Sequence, residues 1–169
     1  MIEVLLNKYC IDKLRLELKK AKTTEIGGVL AAEQVGDGRF MVVDLSVQRD
    51  GTSSRFERDP ERHRAFIRRF HDRMGNQPER FNYLGEWHSH PSYYATPSNE
   101  DFQQMQELIE EVEQRSNFLV LMVIKLGDRG ELRGSVYGFR PRLAPVRGRF
   151  GSVEEGETQE ESPLMVIQL

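Results

Sequence analysis

His88 and His90, one residue apart, are followed eleven residues later by Asp101, so a short stretch offers two neutral imidazole nitrogens and one carboxylate oxygen. That is the ligand set of a catalytic zinc, which takes three protein ligands and keeps a fourth position for water; a structural zinc closes its tetrahedron with four protein ligands, often thiolates. Cys10 is the sole cysteine, and a thiolate cage is therefore excluded. If residues 81–88 form a strand, side chains two apart share a face, and His88 and His90 can reach one ion. Pro91 and Pro97 rule out regular helix across the intervening loop. A helix beginning at Ser98 then places Asp101 in its first turn, facing back toward the strand end.

Each of these residues also has a plainer reading. Ser98 with Asp101 three residues on is a helix-capping pattern, in which both side chains bond backbone amides, and Ser98 can cap and catalyse in different rotamers. An isolated His-x-His pair is commonly incidental, and Glu25, beside Gly27-Gly28, reads equally as a turn residue. Glu86 lies two residues before His88 on the same expected strand face. It competes for the role of general base, or orients a histidine through its free ring N–H. His63 and His71, eight apart in an arginine-rich helix, read as surface residues rather than ligands.

His88-Ser89-His90, seven residues, Ser98, two residues and Asp101 reproduce the pattern His-x-His-x7-Ser-x2-Asp. The chain thereby resembles the JAMM metalloproteases of the JAB/MPN family. That family also carries an upstream glutamate before a Gly-Gly pair and a hydrophobic strand, which Thr24-Glu25-Ile26-Gly27-Gly28-Val29-Leu30 matches. The resemblance covers about residues 1 to 140. It implies a mixed α/β domain of the MPN type: a curved, mostly antiparallel sheet flanked by helices. It further implies that His88, His90 and Asp101 hold one Zn2+ per chain at about 2.0–2.1 Å from the nitrogens, with Glu25 and Ser98 catalytic. Water at the fourth position has its pKa lowered from about 15.7 to about 7. Glu25 takes its proton and returns it to the leaving amine, while zinc and the Ser98 hydroxyl stabilise the oxyanion. Tyr93, Tyr94 and Thr96, between the ligands, fall on the side where such peptidases clamp an extended substrate tail.

The wording Gly85-Glu86-Trp87-His88-Ser89-His90-Pro91 is also similar to stand-alone bacterial JAMM peptidases found beside ubiquitin-like conjugation enzymes, including those of antiphage operons. The expected substrate is a ubiquitin-like protein, as a conjugate or a precursor, with activating and conjugating enzymes of the same pathway as partners. The rival expectations are a peptidase that trims a sulfur-carrier protein and an MPN scaffold that has lost its metal.

Composition bounds these readings. A chain of 169 residues is one domain by size and buries a core without disulfides. A net charge of −3 argues against nucleic acid as partner. No run approaches eighteen apolar residues, so no membrane span is expected, and the first residues lack the basic region and apolar stretch of a secretory signal; a cytoplasmic location is the default. Residues 55 to 80 hold eight arginines against five acids, fit either to meet an acidic partner or to stand as a solvated helix face. Cys10 reads as a small buried apolar residue.

The periodicities supply the elements that must position the site. Residues 1–6 read as an edge strand. Ile11, Leu14, Leu18 and Ala21 recur at helical spacing. Residues 26–33 and 40–47 read as a hairpin through Val35-Gly36-Asp37-Gly38, and Pro60 starts a helix to Met74 with Ala65, Phe66, Phe70 and Met74 inward. In the strand 81–88, Tyr83, Gly85 and Trp87 share one face and Leu84, Glu86 and His88 the other. A helix from Ser98 to Arg115 follows. Residues 118–125 are nearly continuously apolar, as in a strand covered on both faces, and 132–139 pairs with it. Residues 141–169 read as a C-terminal extension: basic and proline-broken at 142–149, an acidic linker at 152–163, and a hydrophobic end at 164–169 expected to dock on a sheet edge or a partner.

Overall fold

The computed structural model describes residues 1–111 and 116–153. The expected linker beyond residue 153 and the hydrophobic end 164–169 lie outside the described residues. The chain runs β1 (Glu3–Leu6), α1 (Lys8–Ala21), β2 (Gly27–Gly36), β3 (Arg39–Leu45), α2 (Pro60–Arg73), β4 (Phe81–Ser89), α3 (Asn99–Glu110), β5 (Leu119–Leu126), β6 (Leu132–Phe139), β7 (Val146–Arg147) and β8 (Arg149–Ser152). The strands form one sheet in the order β7-β6-β5-β4-β2-β3-β1-β8. Pairing is antiparallel for β2/β3, β2/β4, β5/β6 and β6/β7, and parallel for β1/β3, β1/β8 and β4/β5. This is the expected mixed α/β architecture with a curved, mostly antiparallel sheet. Among the described residues no helix is long and apolar enough to cross a membrane.

The sheet curls until its two edges nearly meet. Val146 and Arg147 pair with β6, and the next residues, from Arg149, pair with β1. At the crossover the Gly148 amide donates to the Val136 carbonyl and the Arg149 amide to that of Ile2, each at 2.8 Å. A side chain at Gly148 would press on the Ile2 carbonyl. Residues 146–152, which composition alone assigned to the extension, are therefore built into the sheet.

Inside the curl lies α1, with Cys10, Ile11, Leu14 and Leu18 packed among inward residues of β1 to β6, including Leu30, Trp87, Met122 and Val136. On the outer face α3 lays Met105, Leu108 and Ile109 on Leu119, Leu121, Val123 and Phe139. Strand β5 serves both layers: Val120, Met122 and Ile124 point in, and Leu119, Leu121 and Val123 point out. Its continuous apolar sequence has that cause.

Three expectations change. Helix α3 ends at Glu110, with Glu111 already extended (ψ 134°), and residues 112–115 lie outside the described residues. The face assignment in β4 fails before Gly85: the register with β2 skips Leu84, so Leu84 joins Trp87 inside while Tyr83 packs outside. The cause is a bulge at Gly85, whose φ of 149° is open only to glycine and whose missing Cβ leaves room for the Val120 backbone. Finally, His63 is buried rather than exposed. It lies seven residues before the fully buried Phe70, on the same face of α2.

Candidate metal centre

The site forms on the outer face of the sheet, at the end of β4. His88 is paired with Gly27 of β2 on one side and Val123 of β5 on the other. His90 lies just beyond the strand, its amide donating to the Ile124 carbonyl at 2.9 Å. Between them Ser89, fully buried, points the other way and accepts from the Ile26 amide at 3.0 Å. This bond fixes the end of β4 against the start of β2, beside Glu25.

Asp101 comes from the first turn of α3. The Ser98 amide and hydroxyl both donate to its Oδ2, at 2.6 and 2.7 Å, and the Ser98 Oγ accepts from the Asp101 amide at 3.2 Å. This is a complete capping box. Capping and carboxylate placement are thus one arrangement: the bonds that start the helix also aim Asp101 at the histidines.

His88 Nε2 and His90 Nε2 stand 3.1 Å apart. His88 Nε2 lies 3.3 Å from Asp101 Oδ1, and His90 Nε2 lies 3.6 Å from Oδ2. A tetrahedral zinc with bonds of about 2.0–2.2 Å holds its ligand atoms about 3.3–3.6 Å from one another. Two of the three edges lie at the limits of that range and the third, at 3.1 Å, falls just short of it, and the donor set has the right chemistry, so these residues fit a divalent metal such as zinc. They are the group of His, Cys, Asp and Glu side chains among the described residues with this geometry.

The electrostatics agree. Burial works to raise the Asp101 carboxyl, but hydrogen bonds from His88 and His90 hold it far below the usual carboxylate range. Burial pulls His90 down, yet Asp101 and the Tyr94 carbonyl together raise it. Its Nδ1 lies 3.2 Å from that carbonyl, which turns Nε2 toward the metal position. Glu25 is 5% exposed, and burial raises its carboxyl while the nearby histidines oppose the shift. A carboxyl raised in this way holds a proton more readily than an exposed one. Gly27 and Gly28 beside it are sterically required: a side chain at the first would strike Phe56 and the Trp87 carbonyl, and at the second Ser46.

The remaining candidates fall in different places. The Glu86 Oε1 accepts from Arg58 at 3.2 Å and lies 3.7 Å from His63 Nδ1, so the histidine it meets is His63. Tyr93 and Tyr94 are exposed, with Tyr94 acting on His90 through its carbonyl, and Thr96 is exposed as well. Beside His88 and Asp101 opens a cleft of about 270 Å³, walled by Phe56 and Arg58 on one side and Gln104 and Glu107 on the other. The Phe56 ring stacks on His88 at 6.4 Å. Reading the sequence missed Phe56 and Arg58; the one signal was that both lie in the arginine-rich segment 55–80.

Residues 7–133 match the model of a family described as prokaryotic homologs of the JAB domain. The chain belongs to that family. Among solved structures, the solution structure of protein DSY2949 from Desulfitobacterium hafniense superposes with a TM-score of 0.65 at 21% identity, covering 90% of this chain and 94% of that one. The likeness shows that the two chains share a fold. No curated protein matches the chain.

Proposed function

We propose that this JAB-family protein is a zinc-dependent peptidase that cleaves a peptide or isopeptide bond after the C-terminal tail of a ubiquitin-like protein. The observation that carries the reading is the convergence of His88, His90 and Asp101 ligand atoms within 4.8 Å of one another, with the Glu25 carboxyl in electrostatic reach of all three. His88, His90 and Asp101 would hold the metal. Zinc at such a site supplies Lewis acidity and makes hydroxide available at neutral pH.

The chain's own groups do the rest. Glu25 accepts the proton of the attacking water and hands it to the departing amine. Ser98, whose hydroxyl is donated to Asp101, must rotate off that carboxylate to reach the substrate's carbonyl oxygen. The cleft lies between the loop before α2 and the helix α3, and a tail of small residues suits such a passage. Tyr93 and Tyr94, exposed in the loop that meets His90, would contact that tail on the His90 side of the site. A bacterial conjugation pathway, including an antiphage one, is the setting this substrate implies.

The test is purified full-length chain loaded with zinc and given ubiquitin-like precursors and conjugates, with products read by mass spectrometry. Cleavage after the tail, lost in Glu25→Ala without loss of fold, is expected. Trimming confined to a sulfur-carrier protein would move the substrate class. A chain that binds no zinc and cleaves no substrate would favour a scaffold.

A further inference from the structure

Residues 49–58, between β3 and α2, touch the metal centre at several points yet contain none of its ligands. A side chain at Gly51 would strike the Glu25 carbonyl, and the Glu25 amide donates to the Thr52 carbonyl at 2.7 Å. Phe56 lies against Gly27 and stacks on His88 at an interplanar angle of 20°. Arg58 binds Glu86 of β4 and Glu111 beyond α3. Where the Tyr94 carbonyl fixes the His90 ring, the Phe56 face sets the plane of His88.

What holds this loop shut is Gln48. Its backbone pairs with Gly27 in both directions, at 2.7 and 3.1 Å, beside the start of β2. Its side chain, 7% exposed, spends both arms on the far end of the loop: Nε2 donates to the Glu57 carbonyl at 2.7 Å, and Oε1 accepts from the Asp59 amide at 2.9 Å. Asp59 is in turn the N-cap of α2. One buried amide therefore clamps the neck of the loop to the strand that carries the Gly-Gly pair, with Phe56 held between them.

We propose that Gln48 is a positioning residue for the metal centre: it locks residues 49–58 over the site so that Phe56 fixes the His88 ring in its ligating orientation. The inference rests on the metal centre of the proposed function. An imidazole free to rotate must be ordered when the ion binds, so the clamp acts on metal affinity before any chemistry.

Zinc affinity of the purified full chain is measured by competition with a chromophoric chelator for the parent, Gln48→Met, Phe56→Ala and the double variant. Each single substitution is expected to weaken zinc about 10-fold to 100-fold. The double variant should lose no more than about the larger single, since both remove the same restraint. The visible absorption of the Co2+-loaded chain should shift in both single variants. Gln48→Glu, which keeps an acceptor for the Asp59 amide but sets a carboxylate oxygen against the Glu57 carbonyl, should weaken zinc at least as much as Gln48→Met. Should Gln48→Met not fold, Phe56→Ala and Gln48→Glu carry the test. Variants that bind zinc within about twofold of the parent, or losses that add in full, overturn the inference. A parent that binds no zinc overturns the proposed function with it, whereas a zinc-binding parent with unaffected variants overturns the clamp alone.

Discussion

At the scale of single residues, the site is a set of conflicts between burial and charge. Burial raises the Glu25 carboxyl above its ordinary value of 4.5. A carboxyl raised by folding leaves stability intact below pH 4.5, and the loss grows as pH climbs through the folded value. Glu25→Gln should therefore melt higher than the parent at pH 7 when both are metal-free, with the gain vanishing below pH 4.5, as read by calorimetry across pH. On the proposed mechanism the same variant should lose about 100-fold or more in kcat, measured on any cleaved substrate, because Glu25 would be the proton acceptor. Asp101 runs the opposite way: its carboxyl is depressed, so the stability it gives is present above pH 3.8 and lost on acidification. Cys10, fully buried, has its thiol pushed up to about 12, chiefly by desolvation. It should stay unreactive to a thiol reagent at pH 8 in the native chain and react as one thiol on unfolding, counted spectrophotometrically. These residue types were legible in the sequence because ligand spacing is short-range. His63 was not, because its burial depends on which way α2 faces.

At the scale of elements, local sequence decided more than expected. The capping box of Ser98 and Asp101 and the N-cap of α2 at Asp59 are both written in nearby residues. Ser98→Ala should lower unfolding stability by about 1 kcal/mol in urea denaturation and also weaken zinc, because one hydroxyl both caps α3 and orients the Asp101 carboxylate. Strand β4 is where local reading stopped short. Strict alternation holds from Gly85 to His88, so Glu86 and His88 share the outer face, but the bulge shifts everything before it. Gly85→Ala combines a φ of 149° with a collision on the Val120 carbonyl. It should cost about 2 kcal/mol or more, seen as a lower denaturation midpoint, because β4 and β5 cannot separate without disturbing the metal ligands.

For the molecule as a whole, closure is the governing feature. The segment 146–152 binds β6 on one side and β1 on the other, so the sheet has few free edges for another chain to pair with. Ending the chain at residue 145 should expose both edges. Amide exchange should then accelerate at residues of β1 and β6, and the shortened chain should self-associate, both checked by hydrogen exchange and sedimentation. Ion pairs add smaller ties across elements: Asp44 of β3, 5% exposed, meets Lys13 of α1 and Arg73 of α2. Arg73 and Arg58 show that part of the arginine-rich segment is structural, binding helix to sheet and loop to cleft.

The sequence by itself determined the candidate ligands, the helix that carries Asp101 and the doubly covered strand β5. Each of these is encoded by spacing within about a dozen residues, where backbone geometry leaves few choices. Tertiary structure alone decided that the sheet closes through residues 146–152, that His63 turns inward, and that Gln48 ties residues 49–58 over His88. Most of those outcomes rest on partners far away in the chain, and even the nearer bonds of Gln48 to Glu57 and Asp59 follow no periodicity, so nothing local records which strand edge or ring face the chain will meet when it collapses.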